Sequence, residues 1–142
     1  VIPIDLETLQ RLAQHPRIVA VKDARNDLRV GTEIIATTTL AYYSGDDPVN
    51  LPWLSVGAVG MVSVTGHVVA DRLRAMIDAF EAGQTDRARN LNASMLPVLR
   101  AMGRVGGAVF AKTAMRLRGL DVGDPRLPLP PATEAEVAAI VA

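Results

Sequence analysis

The sequence has no cysteine, two histidines and no excess of either charge: 15 Lys and Arg stand against 15 Asp and Glu in 142 residues. Without cysteine there is no disulfide framework, no thiolate nucleophile and no thiolate metal site. His15 and His67 lie far apart, without the spacing that sets two ligands on one helix face, which argues against a zinc centre. Zero net charge with no basic run removes the clustered Lys and Arg that phosphate neutralisation requires, so nucleic acid is not an expected partner. Val1, Ile2 and Pro3 open the chain without the basic and apolar segments of a signal peptide.

What is present is apolar: 49% of the residues, enough to specify a folded chain rather than a disordered one. The 23 residues Pro48 to Ala70 contain no Asp, Glu, Lys or Arg, and a membrane-spanning helix needs about 20 apolar residues. Pro48, Pro52, Gly57, Gly60 and Gly66 interrupt this stretch, however, and Asn50, Ser55, Ser63, Thr65 and His67 dilute it. It reads as a short buried helix followed by a buried strand, and no membrane association is expected.

Asp5 is placed to cap a helix over Leu6–Gln14, with Leu6, Leu9 and Leu12 on one face, and Pro16 ends it. Ile18-Val19-Ala20-Val21 is a continuous apolar run, the pattern of a strand buried on both faces in a parallel sheet. An amphipathic segment over about Asn26–Ala36 leads to a second strand at Leu40–Ser44. Asp47-Pro48 then reads as N-cap and first residue of a helix that stops at Gly57, with Trp53 in its core-facing set. Gly60–Val64 is the third strand. The strand ends near Lys22, Ser44 and Val64 are 22 and 20 residues apart, a βαβα rhythm that makes parallel strands in an open sheet or a closed barrel.

Beyond Thr65 the pattern is helical: Val69–Ala82, Thr85 to about Met102, and Val105–Arg118 closed by Gly119. An extended, Pro-rich connector over Asp124–Pro131 follows. Thr133-Glu134-Ala135-Glu136 matches a capping box for a last helix.

In parallel α/β architectures, reactive groups gather at the carboxyl ends of the strands. Lysine is scarce here, at Lys22 and Lys112 only against 13 arginines, and Lys22 stands at the end of the first strand. Desolvation at such a tip favours the neutral amine that attacks a carbonyl, so Lys22 is a Schiff-base candidate; the alternative is a lysine snorkelling to solvent. The second strand ends in Ser44-Gly45-Asp46-Asp47. With Asp47 assigned to capping, Asp46 faces the same rim as Lys22, and Gly45 admits close approach of a ligand to backbone. Gly103, Gly106 and Gly107 lack the preceding strand and following Lys-Ser/Thr of a phosphate loop, and there is no G-x-S-x-G elbow. His67, opening a helix, reads as a packing or capping residue.

Ile18–Ala24, Tyr43-Ser44-Gly45-Asp46-Asp47 and Gly60-Met61-Val62-Ser63-Val64-Thr65 together resemble the last three barrel strands of the dihydrodipicolinate synthase family. Gly123–Pro128 resembles that family's approach to its last helix. The Lys-Asp-Ala element fits any pyruvate-dependent class I aldolase, whereas Ser-Gly-Asp-Asp followed by Val-Ser-Val-Thr is more selective for the synthase branch. The resemblance implies the C-terminal part, strands six to eight, of a (β/α)8 barrel over residues 1–68. The last barrel helix and a helical C-terminal region then fill residues 69–142.

It further implies that Lys22 forms an imine with pyruvate, that the Val62 carbonyl faces the bound pyruvate, and that Gly45 and Asp46 line the second-substrate side. No cofactor beyond this covalent imine and no metal is implied. The expected substrates are pyruvate and L-aspartate-4-semialdehyde, and the expected partners are the N-terminal half of the barrel and further copies in a homotetramer, in the cytoplasm. N-acetylneuraminate or ketodeoxy-sugar-acid lyases of the same superfamily are the alternative, and a non-catalytic α/β binding module is a third reading. The family's Asn-Pro-Ile-Pro-type segment is replaced here by Val105–Ala111 before Lys112, and its proton-relay tyrosine and carboxylate-binding arginine have no counterpart in these residues.

Overall fold

The computed structural model describes residues 3–141. The chain divides into two compact units, Val1–Ser63 and Val64–Ala142.

The first unit is a three-stranded parallel sheet, in the order β1 (Ala20–Asp23), β2 (Ala41–Ser44), β3 (Gly60–Met61), with helices joining the strands. Helix α1 (Leu6–Leu12) begins as the sequence dictates, with Asp5 Oδ1 accepting a 2.7 Å hydrogen bond from the Thr8 amide. Helix α2 (Leu28–Thr37) is capped in the same way by Asp27, which accepts from the Val30 amide. Leu9, Ile34, Tyr42, Trp53 and Ala58 form the core between these helices and the sheet, with Val21, Val30 and Ile35 packed around them. Trp53 is fully buried, as its place in the apolar pattern predicts, and its ring centroid lies 4.9 Å from that of Tyr42. Gly31 makes this packing possible: a Cβ there would stand 2.3 Å from Trp53 Cζ3 and 2.9 Å from Tyr42 Oη.

Three expectations need correction in this unit. β1 is not buried on both faces: Ala20 and Lys22 are exposed and only the face carrying Val21 and Asp23 turns inward, while Val19, just before the strand, is 70% exposed. The reason is that helices pack only on the side where Val21 and Asp23 project, leaving Ala20 and Lys22 on the opposite, exposed face. Ladder pairing in β3 stops at Met61 rather than Val64, because β2 ends at Ser44, whose carbonyl accepts the last cross-strand bond from the Val62 amide at 2.8 Å. Asp46, not Asp47, takes the cap position before a 3-10 turn (Asp47–Val49) that leads into α3 (Asn50–Ser55). Asp47 sits inside that turn, buried, accepting from Asn50 Nδ2 at 2.9 Å.

The second unit is helical. α4 (Gly66–Glu81) contains a break at Val69, whose φ of −134° and ψ of 32° are not helical, so the regular helix begins where the apolar periodicity begins. In its first turn His67 Nδ1 lies 2.8 Å from the Val64 carbonyl, a local side-chain to backbone contact that does not cap the helix. The single helix expected over Thr85–Met102 is two, α5 (Thr85–Ser94) and α6 (Leu96–Val105). Pro97 explains the break: it lacks the amide that would continue α5, yet it is at home in the first turn of α6. α7 (Gly107–Leu117) starts two residues later than expected, because Gly106 has a left-handed φ of 81° that ends α6.

Ala101, Phe110 and Ala114 form the core of this unit, with Val64, Val98 and Ile140 against it. Lys112 is half-buried and donates from Nζ to the Val122 carbonyl at 2.6 Å, tying the connector to α7. The capping box before α8 (Glu134–Val141) forms as read: Glu136 Oε2 accepts from the Thr133 amide, and Thr133 Oγ1 accepts from the Glu136 amide. Among the described residues no helix is long and apolar enough to cross a membrane.

Candidate active site

Lys22, Tyr43 and Gly60 lie in register across the sheet, and the next row is Asp23, Ser44 and Met61. Side chains alternate along a strand, so Lys22 and Tyr43 project on one face while Val21, Asp23, Tyr42 and Ser44 project toward the helices. The Tyr43 ring covers Gly60, where a Cβ would lie 3.2 Å from Tyr43 Cε1. The Lys22 stem crosses the end of β2: a Cβ on Gly45 would stand 2.3 Å from Lys22 Cε and 2.9 Å from Lys22 Cδ. Lys22 itself is exposed and makes no hydrogen bond or ion pair with a described residue.

The end of β1 is held by its inward neighbour. Asp23 is 7% exposed and receives Arg25 through the backbone amide at 2.8 Å and through Nε at 2.8 and 3.0 Å, while Arg25 Nη1 donates to the Ile4 carbonyl at 2.7 Å. Burial pushes the Asp23 carboxyl up, but these Arg25 hydrogen bonds, with the nearby Tyr42 hydroxyl and the Arg25 charge, outweigh it and hold the group below the ordinary carboxylate range. The Tyr42 hydroxyl is buried beside Asp23 without reaching hydrogen-bond geometry, and burial together with that carboxylate pushes its ionisation well above the usual phenol value.

Gly45 and Asp46 follow β2, both half-buried. The Gly45 amide donates to the Asp23 carbonyl at 2.8 Å, so the turn after β2 is bonded to the strand end that carries Lys22. Asp46 makes no side-chain cap bond; its Oδ2 accepts from Asn26 Nδ2 at 2.6 Å. Val62 lies one residue beyond β3, 55% exposed, and joins the group through the bond from its amide to the Ser44 carbonyl. The structure thus brings Lys22 and Gly45 into contact, joins Asp46 to the loop after Lys22, and sets Val62 at the same end of the sheet. Sequence reasoning missed Arg25 and Asn26, for neither lies in a periodic apolar pattern. The acid-base pair two residues apart, Asp23 and Arg25, is the one local signal that was there to find.

Among the described residues no group of three or more His, Asp or Glu is arranged to hold a metal ion. An exposed, unpartnered amine at the carboxyl end of a parallel strand, with a glycine beneath it, is equipped for nucleophilic attack on a carbonyl.

The profile of the Dihydrodipicolinate synthetase family matches residues 1–142. The chain belongs to this family. It is 52% identical over 142 residues to the 4-hydroxy-tetrahydrodipicolinate synthase of Mycolicibacterium paratuberculosis, covering all of this chain and 47% of that one. To the enzyme of that name from Corynebacterium jeikeium it is 53% identical over 137 residues, 96% of this chain and 46% of the other. Among solved structures, dihydrodipicolinate synthase from Bacillus anthracis superimposes with a TM-score of 0.93 at 41% identity, over 99% of this chain and 49% of that one. The Cyanidioschyzon merolae synthase, solved with lysine bound, gives 0.94 at 34% identity, over 99% and 48%. The chain therefore spans about half the length of the relatives it matches, and its α/β fold is that of the corresponding half of those structures.

Proposed function

We propose that this chain is the C-terminal half of a 4-hydroxy-tetrahydrodipicolinate synthase, with β1, β2 and β3 as strands six, seven and eight of a (β/α)8 barrel. In this reading residues 1–68 complete the barrel, and residues 69–142 supply its last helix and a helical region used in a homotetramer. Family membership and the names of relatives 52% identical over the whole chain support the activity. The observation that carries the site is the placement of Lys22, free and exposed, with its stem against Gly45. The open outer edges of β1 and β3 support further strands pairing there, and exposed Val62 supports side chains closing over this face.

The Lys22 amine attacks the ketone carbon of pyruvate, and loss of water gives the imine. Loss of a proton from the methyl group turns the imine into an enamine, whose carbon attacks the aldehyde of L-aspartate-4-semialdehyde. The amine of that substrate then adds to the imine carbon and expels Lys22, giving 4-hydroxytetrahydrodipicolinate in the route to diaminopimelate and lysine. Within this chain Val62 presents its carbonyl toward pyruvate, and Gly45 and Asp46 line the approach of the aldehyde. Asp46 does so as an oriented carboxylate, since its second oxygen is already engaged by Asn26.

Borohydride reduction of the full-length protein with pyruvate tests the assignment. A stable adduct on Lys22 is expected, and its absence there overturns the proposal. Product assays with aspartate semialdehyde and with sugar-derived aldehydes then fix the second substrate; turnover of the sugar aldehydes alone would move the protein to a lyase of the same chemistry.

A further inference from the structure

Asn26 is alone among the described non-glycine residues in having a positive φ, at 60°. That conformation costs an L-residue free energy, less for asparagine than for most, and persists only where the surroundings impose it. The surroundings do so from both sides. On one, Arg25 is clamped to the buried Asp23 through its amide and guanidinium; on the other, Asp27 is committed to capping α2. The left-handed turn between these anchors aims the Asn26 amide across 20 residues of sequence at Asp46, where Nδ2 meets Oδ2 at 2.6 Å. The same two loops are joined through the backbone by Gly45 and Asp23. Asp46 occupies a cap position yet makes no cap bond, so its carboxylate is oriented by Asn26 rather than by the turn that follows.

We infer that Asn26 is a positioning residue for the second substrate: it orients the Asp46 carboxylate, while Gly45 is held separately by the bond from its amide to the Asp23 carbonyl, so the lysine chemistry is untouched. The inference rests on the function proposed above. Lys22 is set by the β1 register and by its contact with Gly45, neither of which passes through Asn26. Loss of the Asn26 bond therefore affects capture of the aldehyde and spares imine formation.

Two variants of the full-length protein test this. Asn26→Gly allows the left-handed backbone and removes the side chain that reaches Asp46. Asn26→Asp keeps the size and sets a carboxylate against Asp46. The KM for aspartate semialdehyde is expected to rise about tenfold in Asn26→Asp, the weight of one charge-assisted hydrogen bond, and by a smaller factor in Asn26→Gly. The rate of borohydride trapping with pyruvate should stay within about twofold of the parent in both. An unchanged KM in Asn26→Asp, or a trapping rate that falls in proportion to the KM effect, overturns the inference. Failure of the parent protein to trap pyruvate at Lys22 would instead remove the functional reading beneath it.

Discussion

Gly45 lies beneath the stem of Lys22, with no room for a single additional carbon: the site a Cβ would occupy is 2.3 Å from Lys22 Cε and 3.0 Å from the Asp23 carbonyl oxygen. The glycine expected from sequence to admit a ligand admits the stem of Lys22. In Gly45→Ala the flexible lysine stem yields more readily than the backbone, so the fold survives while the amine is displaced. A shift of about 1 Å in a reacting group can cost roughly a hundredfold in rate. Borohydride trapping with pyruvate should slow by about that factor with the thermal midpoint nearly unchanged; trapping at the parental rate would show that Gly45 does not set the lysine.

Gly31→Ala presents the opposite case. The obstructing atoms belong to Trp53, fully buried and stacked near Tyr42, and cannot swing into solvent. Overpacking of this kind costs about 1–3 kcal/mol, and the better helix propensity of alanine returns about 1 kcal/mol of it. A fall in unfolding free energy of up to about 2 kcal/mol is expected by denaturant titration, with pyruvate trapping retained; a stabilised variant would contradict the packing described.

The Asp23 carboxyl ionises below the ordinary aspartate value of about 3.9. A depressed value in the folded state means that its contribution is complete above the unfolded value and is lost as pH falls through the folded one. Stability should therefore decline on the acid side below about pH 4, and Asp23→Asn should be less stable at neutral pH with a flatter acid limb. Parallel curves for the two proteins would show that the Arg25 pair carries no pH-dependent stability.

Tyr42→Phe removes a buried hydroxyl that has no hydrogen-bond partner and keeps the ring against Trp53. Deleting an unsatisfied polar atom while preserving shape is close to neutral or favourable, so the change should lie within about 1 kcal/mol, or stabilise. It also takes a neighbouring influence from Asp23, raising that carboxyl slightly toward its ordinary value. A loss of more than about 2 kcal/mol would mean the hydroxyl does hold a bond.

The parallel rhythm was legible because its signals are local and periodic: three apolar runs about twenty residues apart, an Asp5 cap, and the Thr133–Glu136 box all appear as read. The exposure of Val19 was not legible. An apolar run specifies that a face seeks cover, whereas whether it finds cover depends on elements that the run does not encode. Asp47 at the cap and the unbroken helix across Met95 failed for another reason, since one-residue shifts and proline breaks are decided by tertiary context as much as by propensity. At the rim, Lys22 and Gly45 stood out by scarcity and conformational freedom. Arg25 and Asn26 did not, because a contact across 20 residues of sequence leaves no mark in either segment alone.

The two lysines differ in chemical accessibility. Lys112 is half-buried with its ammonium given to the Val122 carbonyl, whereas Lys22 is exposed and unengaged. An amine-acylating reagent should thus tag this stretch of chain almost wholly at one position, and arginine, which takes up the remaining cationic sites, stays silent toward it. Occupancy of Lys22 then becomes a quantity that mass spectrometry can count peptide by peptide, with the protected Lys112 as an internal reference for integrity of the fold.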